Sequence, residues 1–134
     1  MAGGGDPRLG EVHAILVSQN PTGLITYTAD GQVMNIITNG GRRPLSVSDN
    51  VGAPAEGRVE AFATVVAYAG SYTLNGNKVI HHVEVCSIPN AVNTDQVRLI
   101  TNLKRNSLTL RTFTMVSVGR QITYREFVWE RISK

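Results

Sequence analysis

Short runs of apolar and β-branched residues alternate with turn residues along most of the chain. They predict strands at residues 12–17, 24–28, 32–38, 71–74, 78–86, 95–101, 107–113 and 120–131. Asp30-Gly31 and Asn75-Gly76 each lie between two of these runs, and such dipeptides are strong hairpin signals. Seven or eight strands in a meander can close on themselves and remove exposed edges. The pattern predicts an all-β, up-and-down antiparallel barrel of about eight strands.

One segment, residues 55–68, has helical periodicity instead. Its apolar residues recur at i, i+3, i+4, i+7 and i+8: Val59, Phe62, Ala63, Val66 and Ala67. Pro54 favours the helix start, and Gly70 favours its end. We therefore expect one short helix whose apolar stripe packs against the core, with binding of a partner as the alternative.

The composition is that of one folded domain. The chain has 134 residues, of which 42% are hydrophobic and only 17% charged, which argues against disorder. Residues 1–10 are rich in glycine, so we expect a flexible segment there and a single domain over 11–134. The net charge is +3, but the basic residues are scattered, so we expect no nucleic-acid binding.

The location of the protein is predicted from cysteine use and hydropathy. Cys86 is the only cysteine, so no internal disulfide can form, which favours a reducing compartment. We find no apolar run long enough for a membrane span and no signal-peptide pattern in residues 1–10. We therefore expect a cytoplasmic protein that does not bind a membrane.

Six motifs in one order make the chain similar to a known family. They are GLITYTADG (23–31), AYAGSY (67–72), VIHHVE (79–84), NTDQVR (93–98), LTL (108–110) and VWER (128–131). Together they resemble the lipocalin-like domain family of small bacterial and fungal proteins, over roughly residues 20–132. The resemblance implies a barrel that binds a small, largely apolar molecule. Some members are encoded among enzymes of natural-product biosynthesis.

The start of the chain departs from the family pattern. Members usually open with a strand of the type Leu-x-Gly-Thr-Trp-x-Leu, but no such segment precedes Glu11, and the only tryptophan is Trp129. Either the first strand is missing or residues 8–17 replace it. A missing strand would leave an open seam that a homodimer or a domain swap could close.

Alternation along the strands indicates which residues share a face. In residues 79–86, Val79, His81, Val83 and Val85 share one face, and Ile80, His82, Glu84 and Cys86 share the other. A carboxylate beside an imidazole raises the pKa of the histidine and orients it. His82 and Glu84 are therefore the candidate proton-transfer pair. The alternative is that one of the two histidines, His81 or His82, lies on the outside and the other forms hydrogen bonds within the barrel wall.

Arg98 is the candidate for stabilising an anion. If it faces the lumen with Gln96, it could bind a carboxylate or enolate oxygen. The alternative is an ion pair with Glu84 or Glu130. The other candidate ligand-binding residues are Tyr27, Asn35, Tyr68, Tyr72, His81, Gln96 and Trp129. We expect no metal, because His82 and Glu84 supply only two ligands on one face.

Three functions remain open. The first is a cofactor-free cyclase or isomerase that folds a polyketide-like, hydrophobic metabolite into a reactive conformation. The second is a non-catalytic carrier with the same pocket, and the third is a structural barrel with a filled interior. The long segment 39–54 could cover the barrel mouth as a lid.

Overall fold

Eight antiparallel strands form a closed barrel in chain order. The computed structural model describes residues 8–116 and 121–132. The strands are β1 (Val12–Val17), β2 (Thr22–Tyr27), β3 (Gln32–Thr38), β4 (Val65–Asn75), β5 (Lys78–Cys86), β6 (Asp95–Lys104), β7 (Ser107–Val116) and β8 (Gln121–Arg131). One helix, α1 (Ala55–Ala63), and a short 3₁₀ turn, Pro89–Ala91, lie in the connections. The predicted up-and-down barrel with one short helix is confirmed.

The barrel closes between its first and last strands. β1 pairs with β2 through Ala14 and Ile25, and with β8 through Leu16 and Trp129. Residues 12–17 therefore form the first strand of the barrel, in agreement with the alternative that residues 8–17 replace the family's usual opening segment. No open seam is left between β1 and β8, so the reason for expecting a homodimer is removed.

The core consists of side chains that alternate inward along the strands. Its buried cluster is Ala14, Leu16, Ile25, Tyr27, Val33, Tyr72, Val79, Leu108, Leu110 and Trp129. Their neighbours along the same strands point outward, and Ile15, Leu24 and Ile36 are about half exposed. One face of each strand therefore points into the interior of the barrel.

A β-bulge reverses this alternation in β5. Gly70 pairs with Val83, but Ala69 pairs with Val85, so Glu84 is the extra residue. Val85 is consequently 61% exposed, whereas Val83 is buried. The expectation that Val85 shares a face with His81 was wrong, because the bulge turns the strand by one residue.

The helix is shorter than predicted and faces solvent. α1 ends at Ala63, and residues from Val65 onward join β4, where Val66 pairs with Ile37 and Tyr68 with Asn35. Strand pairing thus overrides the helical periodicity of residues 65–68. Val59 is 66% and Phe62 53% exposed, so the prediction that this stripe packs in the core was wrong.

The segment before α1 is bonded to the helix. Arg42 donates from Nε to Thr64 Oγ1 at 2.9 Å and from Nη2 to the Ala61 carbonyl at 2.9 Å. Arg43 pairs with Glu60 at 3.0 Å. These contacts hold the connection against the helix beside the end of the barrel where β3 ends and β4 begins.

The N-terminal residues cover the opposite end. Residues 1–7 of the predicted flexible segment, 1–10, lie outside the described residues. Leu9 packs against the core cluster, and its backbone N–H donates to the Tyr72 hydroxyl at 2.9 Å. The Tyr72 hydroxyl in turn donates to the Thr28 carbonyl at 3.2 Å. Within residues 8–116 and 121–132, no helix is long and apolar enough to cross a membrane.

Candidate ligand-binding site

A cavity of about 260 Å³ opens at the barrel end where the β3–α1–β4 connection lies. Its apolar wall includes Ile37, Val65, Val66, Leu110, Phe127 and Trp129, and Asn39 and Thr64 lie in the connection itself. Its polar lining includes Asn35, Tyr68, His81, Arg98, Thr112 and Arg125. A largely apolar wall with a few polar groups is typical of small-molecule sites, and this volume is slightly below their roughly 300–1,000 Å³ range.

His81 lies at the polar end of the cavity between two tyrosines. It is 0% exposed. Its Nε2 lies 2.6 Å from the Tyr27 hydroxyl, and its Nδ1 lies 2.6 Å from the Tyr68 hydroxyl. The three residues come from β2, β4 and β5, so closure of the barrel is what brings them together. They form a continuous hydrogen-bonded row, Tyr27–His81–Tyr68.

The imidazole of His81 is neutral in this row. Burial, followed by the positive charge of Arg98 and by His82, lowers the pKa of His81 to about 3. A neutral imidazole carries one N–H donor and one acceptor nitrogen. One tyrosine therefore donates to His81, and the other accepts from it.

The burial of Tyr27 fixes the direction of these bonds. Tyr27 is fully buried, and within the described residues its hydroxyl has His81 as its hydrogen-bond partner. A buried hydroxyl without an acceptor is costly, so Tyr27 must donate to His81 Nε2. His81 then carries its proton on Nδ1 and donates it to the Tyr68 oxygen.

Tyr68 is left with a hydroxyl proton that it can donate to a ligand. Its oxygen accepts from His81 and from Asn35 Nδ2 at 3.3 Å. Burial raises the pKa of Tyr68, although Arg98 and Asn35 oppose that rise, so the phenol is protonated at neutral pH. Among the polar groups of the cavity, Tyr68 is therefore a positioned donor.

Arg98 brings a positive charge to the same cavity. It lies on β6 opposite Val79, whose side chain is in the core, and it is half-buried. It donates to the Val97 carbonyl at 3.2 Å and to Gln96 Oε1 at 3.5 Å. In the described part of the chain no carboxylate forms an ion pair with it, so the expected alternative, pairing with Glu84 or Glu130, does not occur.

Two buried polar atoms beside the cavity have no hydrogen-bond partner among the described groups. They are Asn35 Oδ1 and Trp129 Nε1. Asn35 lines this cavity and pairs with Tyr68 across β3 and β4, whereas Trp129 borders both this cavity and a second space beside Leu9. Buried polar atoms of folded proteins are nearly always paired, so these two are candidates for contact with a ligand.

The structure places His82 and Glu84 away from the cavity. His82 lies on the outer face, where its Nδ1 donates to Asp95 Oδ1 at 2.8 Å and its Nε2 bonds Thr73 Oγ1 at 3.0 Å. Glu84 is exposed at the bulge. The predicted proton-transfer pair is therefore not brought together with Arg98, and the histidine of the cavity is His81.

The remaining candidates divide between the two ends of the barrel. Asn35, Tyr68, His81, Arg98 and Trp129 line the cavity, and Tyr27 lies directly beneath His81. Tyr72 lies nearer the opposite end, bonded to Leu9, and its ring packs edge-on against Tyr27 at 4.9 Å. Gln96 contacts the guanidinium of Arg98 rather than the cavity.

Sequence reasoning missed Arg125 as a site residue. It lines the cavity, and its guanidinium lies 4.9 Å from the centre of the Phe127 ring. The signal was present, because alternation along β8 puts Arg125 on the same face as Phe127 and Trp129. Thr112 and Asn39 were missed as well, and no motif marks them.

Within the described residues, no group of three or more His, Cys, Asp or Glu side chains could hold a metal ion. The lone thiol, Cys86, is partly buried at the end of β5.

A closed eight-stranded barrel with a lined cavity at one end defines the class of small ligand-binding β-barrels. A family model described as a lipocalin-like domain matches residues 9–132. The chain therefore belongs to the lipocalin-like domain family, and the resemblance seen in the motifs is confirmed. A search of curated proteins finds no match.

Proposed function

We propose that the cavity binds a small, largely apolar molecule with its carbonyl oxygen at Tyr68, and that the protein is a cofactor-free cyclase or isomerase. One observation carries the proposal. The protonated hydroxyl of Tyr68 is held by neutral His81 and lies in the same cavity as Arg98. Such donors stabilise an oxyanion more strongly in a water-poor site than in water.

The residues supply distinct parts of the chemistry. The apolar wall holds the substrate in a folded conformation, which lowers the entropic cost of ring closure. As negative charge develops on the carbonyl oxygen, Tyr68 donates a hydrogen bond to that oxygen and keeps its proton, and Arg98 stabilises the charge. His81 supports the Tyr68 oxygen through its Nδ1–H and takes up no proton, since its pKa is about 3. Atoms are conserved in such a rearrangement, so no co-substrate is required.

Polyketide-like metabolites are the substrate class that we propose. Their chains carry several carbonyl groups on an apolar skeleton, which suits a donor cluster inside an apolar wall. The resemblance to proteins of natural-product biosynthesis agrees with this choice. A cytoplasmic location remains part of the proposal and rests on the single cysteine.

A non-catalytic carrier is the second candidate, and one observation favours it. The described residues that line the cavity include no Asp or Glu, and His81 is held neutral. A general base is therefore not evident in this part of the wall, whereas binding requires only the donors and the apolar surface.

Native mass spectrometry of the protein mixed with a metabolite extract of its host tests both candidates. We expect a retained small molecule, and a change of its mass or chromatographic retention on incubation if the protein is an enzyme. Tyr68→Phe should then abolish turnover while the ligand stays bound, whereas in a carrier it should change only the affinity. Tyr124→Phe, an exposed tyrosine, is the matched control. A protein that retains no molecule contradicts the proposal, and the same spectrum reports whether it is a homodimer.

A further inference from the structure

We propose that the ligand of this cavity is an organic carboxylate whose anionic group is bound by Arg98, with Arg125 as a second cation. This inference rests on the proposed function only in that the cavity must bind a small molecule. It names the chemical class of that molecule, and it holds for a carrier as well as for an enzyme.

The partners of Arg98 carry the argument. Its guanidinium is half-buried, and the oxygens that it contacts are uncharged: the Val97 carbonyl at 3.2 Å, Gln96 Oε1 at 3.5 Å and the Tyr68 hydroxyl. In the described residues no carboxylate neutralises it within 4.0 Å. Arginine that is withdrawn from water is normally paired with an anion. The missing counter-charge is what a bound carboxylate would supply.

The charge of the cavity wall agrees with an anionic ligand. Arg98 and Arg125 both line the cavity, and its described lining contains no Asp or Glu. The positive charge of Arg98 also acts on the pKa values of Tyr27, Tyr68 and His81, which places it close to the polar end. A pocket lined by charges of one sign concentrates ligands of the opposite sign.

The geometry at Arg98 and Tyr68 suits a carboxylate group. The planar guanidinium can bind both oxygens of a carboxylate in a bidentate pair. Tyr68 can donate to one of these oxygens, because its own oxygen already accepts from His81. Beyond this polar end, Ile37, Leu110 and Phe127 offer an apolar surface to the rest of the molecule. The site therefore fits an acid with an apolar tail or ring.

Two probes of equal length separate charge from apolar contact. Octanoate and 1-octanol share an eight-carbon chain and differ in the charged group. Trp129 is the only tryptophan and lies in the cavity wall, so its fluorescence reports binding directly. Titrations at pH 7.5 on the native full chain should show octanoate binding at least about tenfold more tightly, since a hydrogen bond to a charged group is worth about 1.5–3 kcal/mol.

Charge variants then locate the binding group. Arg98→Gln should lower the affinity for octanoate by about tenfold or more and leave 1-octanol within about twofold. Arg98→Lys should retain part of the preference, because the charge remains but the bidentate geometry is lost. Arg111→Gln is the matched control: Arg111 pairs with Glu126 at 2.7 Å on the outer face, so both affinities should stay unchanged.

The outcomes distinguish this inference from the proposed function. Equal affinity for both probes in the native protein overturns the carboxylate inference but leaves a cavity that binds small molecules. A preference for octanoate that survives in Arg98→Gln overturns the assignment to Arg98. No fluorescence change with either probe up to about 1 mM, which corresponds to a binding free energy of about −4 kcal/mol, counts against the inference and the proposed function together.

Discussion

The phenol oxygen of Tyr27 and the Nε2 atom of His81 lie 2.6 Å apart in the buried part of the barrel, although the two residues are 54 positions apart in the chain. Tyr27 does not line the cavity, yet it determines which nitrogen of His81 carries the proton. Through His81 it also determines that the Tyr68 oxygen is the acceptor in the hydrogen bond between His81 and Tyr68. A residue beneath the site therefore sets the donor that a ligand meets.

Tyr27→Phe is expected to lower the free energy of unfolding by about 1–3 kcal/mol, because it leaves a buried ring nitrogen of His81 without its donor. The ring and its packing against Tyr72 are retained, so packing loss is small. Urea unfolding measures the change. Tyr124→Phe, at a tyrosine that is 55% exposed, should cost less than about 0.5 kcal/mol, because surface substitutions usually change stability little. Equal costs for the two variants would contradict the buried hydrogen bond.

The low pKa of His81 predicts that stability falls with acid. In the folded protein the pKa is about 3, below the ordinary value of 6.5, so the unfolded chain binds the extra proton between these two values. The free energy of unfolding should therefore decrease as the pH falls through this window, with a slope of up to about 1.4 kcal/mol per pH unit from this one group. Well above pH 6.5, where His81 is neutral in both the folded and the unfolded state, the group should contribute no slope.

Unfolding midpoints in urea at pH 7, 6 and 5 test this slope. His81→Gln, which cannot titrate, should show a weaker dependence on pH than the native protein. If the free energy of unfolding of His81→Gln had the same slope against pH as that of the native protein, groups other than His81 would cause the slope.

Most of the fold could be predicted from local patterns. The bounds of β1, β3 and β5 follow from β-branched runs and from the turns at Asp30-Gly31 and Asn75-Gly76. The helix end could not be predicted, because residues 65–68 satisfy both the helical period and a strand. Pairing of Val66 with Ile37 in β3 decides between them, and that contact is not local.

The site was predicted only in part, for a similar reason. Alternation separates His81 from His82, but it does not tell which of the two faces the lumen. That choice depends on cross-strand neighbours such as Tyr27 and Tyr68, which lie 54 and 13 residues away in the chain. The spacing of His82 and Glu84 is that of a catalytic pair, but both side chains lie on the outer face of the barrel.

Gly70→Ala is expected to destabilise the protein by about 1–3 kcal/mol or more, in the manner of an overpacked core. A β-carbon on Gly70 would collide with the backbone carbonyl oxygen of His82, and its distance to Glu84 N would be 3.1 Å. Backbone atoms at the bulge cannot move aside as a side-chain end can. Thermal or urea unfolding measures the loss.

Gly57→Ala is the matched control for Gly70→Ala. Gly57 lies in α1, and the added β-carbon would meet only the side-chain end of Leu45, at 3.2 Å. Alanine favours a helix over glycine by about 1 kcal/mol, so this variant should be neutral or more stable. If Gly70→Ala were as stable as Gly57→Ala, the close approach at the bulge would not be a constraint.

His82→Ala is expected to leave octanoate binding unchanged within about twofold, whereas His81→Ala should weaken it by about fivefold or more, because a lost hydrogen bond costs about 0.5–1.5 kcal/mol. His81 orients Tyr68 inside the cavity, but His82 bonds Thr73 and Asp95 on the outer wall. The Trp129 fluorescence titration measures both, with circular dichroism to verify that each variant is folded. His81→Gln serves where His81→Ala does not fold. If His82→Ala bound octanoate more weakly than the His81 variant, the binding site would lie on the outer face that carries His82 and Glu84, and not in the cavity.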